Sequence, residues 1–156
     1  MKDAFKLIAA VAVSGLAGAV GSLFTAPAIP TWYAALAKPS FAPPNWLFGP
    51  VWTVLYLLMG VAAFLVWKKG WNGAGVRRAL GAFLLQLALN ALWSAAFFGL
   101  RSPLWGLADI AALWLAIVAT MVLFYKVSKP AAWLLLPYLL WVSFAACLNY
   151  SLWTLN

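Results

Sequence analysis

Histidine and glutamate are missing from this sequence, and cysteine occurs once, as Cys147. Without histidine there is no His-ligated haem and no ordinary zinc site. A single cysteine excludes a disulfide within the chain. Its position inside an apolar run reads as a small buried hydrophobe rather than a redox or metal-binding group. Acid is scarce: Asp3 and Asp109 stand against ten lysines and arginines, for a formal net charge of +8. Charged residues of every kind make up only 8% of the chain, while hydrophobic residues make up 67%. That is too little charge for the surface of a water-soluble domain. No acid–base pair and no nucleophile constellation is present, which argues against ordinary hydrolytic or transfer chemistry.

What the sequence does have is long apolar runs. They fall at about 7–24, 46–67, 79–100, 103–125 and 131–155, each near the roughly 20 residues needed to cross a bilayer core. The expected fold is an all-α membrane protein, a single domain over 1–156 built as a bundle of five transmembrane helices. The first run follows Lys2 and Lys6 and ends near Ala26-Pro27-Ala28, which resembles a signal cleavage site. It is longer than a signal core of about 7–15 residues. It also carries Ser14, Gly18 and Ser22 at helical spacing, which suits close helix packing. It is read as a retained span. Residues 25–45 hold five prolines and are expected to form a loop, with Thr31 as the N-cap of a short helical turn. Ser102-Pro103 is expected to open the fourth helix.

The cations sit at the ends of the apolar runs, where they meet lipid headgroups rather than a nucleic acid. Lys2, Lys6, Lys68, Lys69, Arg77, Arg78, Lys126 and Lys129 collect on the N-terminal side, against Lys38 and Arg101 on the other. By the positive-inside rule the N-terminus is cytoplasmic in a plasma or inner membrane. In an outer membrane the rule loses that meaning.

Polar residues inside the spans are few, and each needs a partner in hydrocarbon. Gln86, Asn90 and Ser94 repeat every four residues and share one face of the third helix. That face must look into the bundle, either as interhelical hydrogen-bonding groups or as a polar contact in a ligand pocket. Asp109 is the only carboxylate within a span and is expected to bond a neighbouring helix. Ala91, Ala95 and Gly99 form a ridge able to seat a helix or a second protomer. Of the eleven tryptophans, Trp52, Trp93, Trp114 and Trp141 lie too deep for interfacial anchoring. Their N–H groups need acceptors. They are either bulky packing residues or the walls of a pocket for a flat, apolar, aromatic ligand.

Three segments resemble the translocator protein family, also called tryptophan-rich sensory proteins or peripheral-type benzodiazepine receptors. The first is Trp32-Tyr33 through Lys38-Pro39 and Pro43-Pro44, followed by Trp52 and Tyr56; the second is Leu89-Asn90-Ala91-Leu92-Trp93 with Phe97-Phe98-Gly99; the third is Pro137-Tyr138-Leu139-Leu140-Trp141 continuing to Leu148-Asn149-Tyr150. The resemblance implies a five-helix bundle whose pocket takes a porphyrin, such as protoporphyrin IX or haem, or another flat aromatic ligand, with no required cofactor. It implies Trp32, Tyr33, Pro43, Pro44 and Trp52 as the loop lid and near wall, and Asn90, Trp93, Trp141, Ala145 and Leu148 as the remaining lining. It also implies a homodimer in a bacterial or archaeal cell membrane. Animal members carry a cation after Leu-Asn-Tyr that serves sterol recognition; Ser151 to Asn156 hold none, so the resemblance does not extend to that motif, while Leu123-Phe124-Tyr125 with Lys129 fits a looser sterol pattern. The expected function is a porphyrin-binding membrane sensor or regulator. The alternatives are light- or oxygen-dependent porphyrin degradation, with Trp52 and Trp141 as electron donors, and transport of porphyrins or other small hydrophobic molecules.

Overall fold

The computed structural model describes residues 1–156. Helix α1 covers Lys2–Ala28, α2 Asn45–Trp67, α3 Ala74–Ser94, α4 Pro103–Val127, α5 Lys129–Leu134 and α6 Leu136–Leu155. Two widened π-helical turns extend α1 over Ile29–Tyr33 and α3 over Ala95–Gly99. Five helical paths are long and apolar enough to cross a membrane, the fifth being α5 and α6 in series. The protein is a multi-pass integral membrane protein. Its large exposed side chains, among them Leu16, Leu57, Leu85, Leu115 and Leu140, face lipid rather than water.

The first span is longer than its prolines suggested. It continues helically to Tyr33, so the first half of the expected 25–45 loop is helix and only residues 34–44 connect to α2. Pro27 lies inside α1. Pro30 falls in the π turn, where Ala34 N–H reaches back five residues to Ile29 O. The wider turn absorbs a proline that a regular helix would reject. Thr31 is accordingly not an N-cap: its hydroxyl donates to Pro27 O at 2.8 Å within the helix.

The second π turn serves packing. Leu100 N–H bonds Ala95 O at 2.8 Å and Ser102 N–H bonds Phe97 O at 3.1 Å. The widened path lets the consecutive Phe97 and Phe98 both turn inward, leaving them 1% and 8% exposed. Arg101, at φ 52°, ends this segment. Ser102 Oγ then accepts from Trp105 N–H at 3.2 Å and caps α4 with Pro103 behind it. The fifth span breaks at Leu135, because Pro137 has no N–H for the carbonyl a turn earlier.

Helix contacts place α1 against α2 and α3, α3 against α4, and α4 against α5 and α6. Close approaches occur where side chains vanish. A Cβ on Gly60 of α2 would lie 2.6 Å from Val11 Cα of α1, and one on Gly21 would lie 2.9 Å from Ser94 Oγ. The Ala91–Ala95–Gly99 ridge seats α1 at its far end, with a Gly99 Cβ falling 2.9 Å from Phe24 Cδ1. Lys68 Nζ stands 3.7 Å from Asp3 Oδ2, so the start of α1 and the end of α2 share one side of the bundle. Cys147 corrects the expectation of burial: it is exposed, because it lies off the inward stripe of α6.

Candidate functional site

Between the contact of α1 and α2 near Gly60 and the 34–44 connection, facing residues of the two helices line a common space. A cavity of about 770 Å³ opens between them, backed by α3 and α6. That volume is within the range of small-molecule sites.

Each wall follows from helical spacing. On α6, Trp141, Ala145, Leu148, Asn149 and Leu152 line the cavity, at offsets of 4, 7, 8 and 11 residues along one stripe. On α2, Trp52 and Tyr56 are one turn apart and stack at 5.6 Å. From α3 come Asn90, Trp93 and, beyond the π turn, Phe97. Trp93 stacks on Phe97 at 5.3 Å, and its Nε1–H donates to Asn149 Oδ1 at 3.1 Å. On α1 the lining is small: Gly15, Gly18, Ala19 and Ser22.

From Tyr56 and Asn90 on the cavity lining, a directed hydrogen-bond chain runs back into the bundle. Tyr56 Oη–H donates to Asn90 Oδ1. Asn90 Nδ2 donates to Tyr138 Oη at 2.9 Å, and Tyr138 donates to Gln86 Oε1 at 2.7 Å. Gln86 Nε2 ends the chain at Met59 Sδ, 3.8 Å away. Asn90, Tyr138 and Gln86 are all buried. The polar face of α3 thus does both things open to it from sequence: it ties α2, α3 and α6 together, and at Asn90 it reaches the cavity. Asn90→Leu is expected to strand the Tyr56 hydroxyl and one lone-pair site of Tyr138, lowering unfolding stability by about 1–3 kcal/mol. Thermal melting in detergent, compared with wild type, measures it.

Three buried side-chain polar atoms have no partner: Tyr33 Oη, Trp141 Nε1 and Asp109 Oδ2. The first two belong to residues that line the cavity. Buried polar groups are nearly always bonded; these two unpaired donors lie next to the cavity on different walls, Tyr33 on the extension of α1 and Trp141 on α6, and each meets a ligand's acceptor only once its side chain turns toward the cavity. Asp109 corrects its own expectation, since the bond to a neighbouring helix is not formed.

Of the residues singled out from sequence, Tyr33, Trp52, Asn90, Trp93, Trp141, Ala145 and Leu148 meet at this cavity. Trp32, Pro43 and Pro44 do not line it. Trp32 turns edge-on to Phe97 at 5.4 Å and Phe98 at 6.4 Å, behind the wall. Pro43 and Pro44 lie in the short connection, where Pro44 at φ −64° and ψ 146° leads into α2. Trp114 lies on the outside, 37% exposed, with Nε1–H donating to Ser143 Oγ at 2.9 Å. Tyr56, Phe97, Asn149 and the α1 wall were not picked as site residues. The four-residue step from Trp52 to Tyr56 was the available signal; the α1 glycines read as helix packing and could not be told from a wall.

The mouth is lateral. Gly15, Ala19, Ser22 and Ala26 of α1 and Gly49, Thr53 and Leu57 of α2 line the cavity and are also exposed. The two rows border a gap facing the acyl chains.

Comparison with known proteins gives a consistent picture. The model of the TspO/MBR family matches residues 9–154. A tryptophan-rich protein TspO of Archaeoglobus fulgidus is 49% identical over 152 residues, covering 97% of each chain. A protein of the same name from Chlorobaculum tepidum is 51% identical, covering 89% of this chain and 88% of its own. The human translocator protein is 46% identical over 140 residues, covering 88% of this chain and 82% of its own.

Proposed function

The chain belongs to the TspO/MBR family, and from that premise we propose that it is a membrane sensor or regulator that binds a porphyrin in the cavity between α1, α2, α3 and α6. The observation that carries the reading is the pairing of aromatic walls with orphaned donors. Trp52, Trp93 and Trp141 offer wide apolar faces. Tyr33 Oη and Trp141 Nε1 are buried without partners. A tetrapyrrole brings a flat macrocycle for the faces and carboxylate side groups for the donors. Stacking and edge contacts with aromatic rings are worth about 0.5–1.5 kcal/mol each beyond area burial. A donor already desolvated gains more from an acceptor than one that must first lose water.

The lateral mouth supports a ligand that partitions into the bilayer and enters between α1 and α2. The eight cations that share the N-terminal end support a cytoplasmic N-terminus by the positive-inside rule.

Titration of protoporphyrin IX into purified protein, followed by tryptophan fluorescence quenching, tests the reading. Trp141→Phe keeps a ring but removes the orphaned N–H, and is expected to weaken binding about tenfold, equivalent to about 1.4 kcal/mol. If Trp141→Phe and Trp52→Phe both bind as wild type, the cavity is not the porphyrin site. Light-dependent loss of the bound porphyrin's absorption band that requires Trp52 and Trp141 would instead assign degradation, and porphyrin flux into proteoliposomes would assign transport.

A further inference from the structure

The connection between α1 and α2 is held to the rest of the bundle by one polar side chain. Asn156 Nδ2 donates to Ala37 O at 2.9 Å, and Asn156 Oδ1 accepts from Ala37 N–H at 3.0 Å. The pair is reciprocal, closing a ring as two adjacent strands do. The same Nδ2 donates to Leu152 O at 2.8 Å, which fixes the side chain against the last turn of α6. Every other hydrogen bond made by residues 36–44 is local: Leu36 N–H to Tyr33 O, Ala42 N–H to Pro39 O, and Lys38 Nζ to Ala34 O and Leu36 O.

The position of this tether gives it a consequence. The cavity ends at Ile29 and Tyr33 of the first span and at Asn45, Trp46 and Phe48 of α2. Residues 34–44 bridge these two rims. Leu36 and Ala42 pack against the cluster that contains Tyr33, Leu148 and Leu152, and Phe41 meets Phe144 of α6 at 6.2 Å. These apolar contacts have no fixed register. The Asn156 pair does, because each bond demands one backbone group at one distance.

We infer that Asn156 is a positioning residue for the cavity: its carboxamide latches the 34–44 connection to α6 and, because that connection joins the two helices that border the lateral mouth, sets how fast the mouth widens. The inference deepens the proposed porphyrin site, but its first test needs no ligand. With the latch intact, Ala37 N–H exchanges with solvent only when its bond to Asn156 Oδ1 opens, and the reciprocal bond to Ala37 O holds the two groups in register against that opening. In Asn156→Ala the connection keeps its apolar contacts and loses its only long-range hydrogen bonds.

Hydrogen–deuterium exchange of the detergent-solubilised full chain reads this directly. Asn156→Ala is expected to speed exchange at residues 36–38 by about tenfold or more, the loss expected from two hydrogen bonds. Asn156→Asp, which keeps an acceptor for Ala37 N–H but loses the donor, is expected to fall between. Faster exchange confined to residues 150–156 would show that Asn156 only caps α6, and would overturn the inference; so would unchanged exchange at 36–38. Stopped-flow mixing with protoporphyrin IX then reads the gating. Association and dissociation are both expected to quicken about fivefold or more in Asn156→Ala, with the dissociation constant little changed, because a gate alters both rates in the same direction. Looser exchange with unchanged rates would overturn the gating role. A wild-type protein that binds no protoporphyrin IX would fell the proposed function, while the exchange result would still decide the latch.

Discussion

Ala145→Phe is expected to lower protoporphyrin IX affinity by about a hundredfold, equivalent to about 2.7 kcal/mol, while leaving the bundle folded. Ala145 sits on the inward stripe of α6, one turn after Trp141 and one turn before Leu148 and Asn149, and all four line the cavity. A phenyl ring grown from that position has open volume ahead of it, so it meets little of the strain that enlargement of a packed core residue brings. It would fill the space between Trp141 and the opposite wall that a macrocycle needs. Two measurements separate occlusion from misfolding. Fluorescence titration reports affinity, and thermal melting should give a midpoint equal to wild type or higher, since the ring supplies contacts that an empty cavity lacks. Ala145→Val, with two added methyls, is expected to show a smaller loss. Wild-type affinity in Ala145→Phe would place the ligand elsewhere.

Gly60→Ala is expected to destabilise the packed bundle. A Cβ there would stand 2.6 Å from Val11 Cα, 2.8 Å from Val11 Cγ2 and 3.0 Å from Val11 N. Two of those atoms are backbone, so no rotamer change relieves the clash. Helices α1 and α2 must move apart, and the cost is expected to be about 1–3 kcal/mol, as for other overpacked sites. The same two helices border the cavity mouth, so separation there would widen the mouth as well. Gly81→Ala is the matched control: its Cβ would meet nothing within 4 Å, and the change is expected to be neutral or stabilising by up to about 1 kcal/mol through helix propensity. Melting of both variants in the same detergent tests the pair. Equal midpoints would mean that α1 and α2 accommodate the methyl group without separating.

The spans were legible because lipid imposes a length and a composition on each one. The second, third and fourth runs begin or end within a few residues of α2, α3 and α4. The first was cut short. Prolines at 27 and 30 read as breakers, yet Pro27 sits within α1 and a π turn carries the helix on through Pro30. No one-dimensional pattern announces a π turn, because its cause is the packing that lets Tyr33 and, in the second case, Phe97 and Phe98 turn inward together. The same blindness bears on Trp32, Pro43 and Pro44, which do not line the cavity. All three are near the cavity in sequence, but the helical extension rotates Trp32 behind the wall and shortens the connection that holds the prolines.

By itself the sequence determined that the protein lives in a bilayer, that five helices cross it, and that the polar face of α3 looks inward, because exposed polar backbone and unpartnered side chains are intolerable in hydrocarbon. It also marked Trp52, Trp93 and Trp141 as too deep to be anchors. Only the tertiary structure decided that α1 and α2 part to leave a space, that Tyr33 and Trp141 keep unused donors beside it, and that Asn156 reaches Ala37 across 119 residues of sequence. Those outcomes depend on where one helix stops touching another, which is set by the shapes of many side chains at once and by no local pattern.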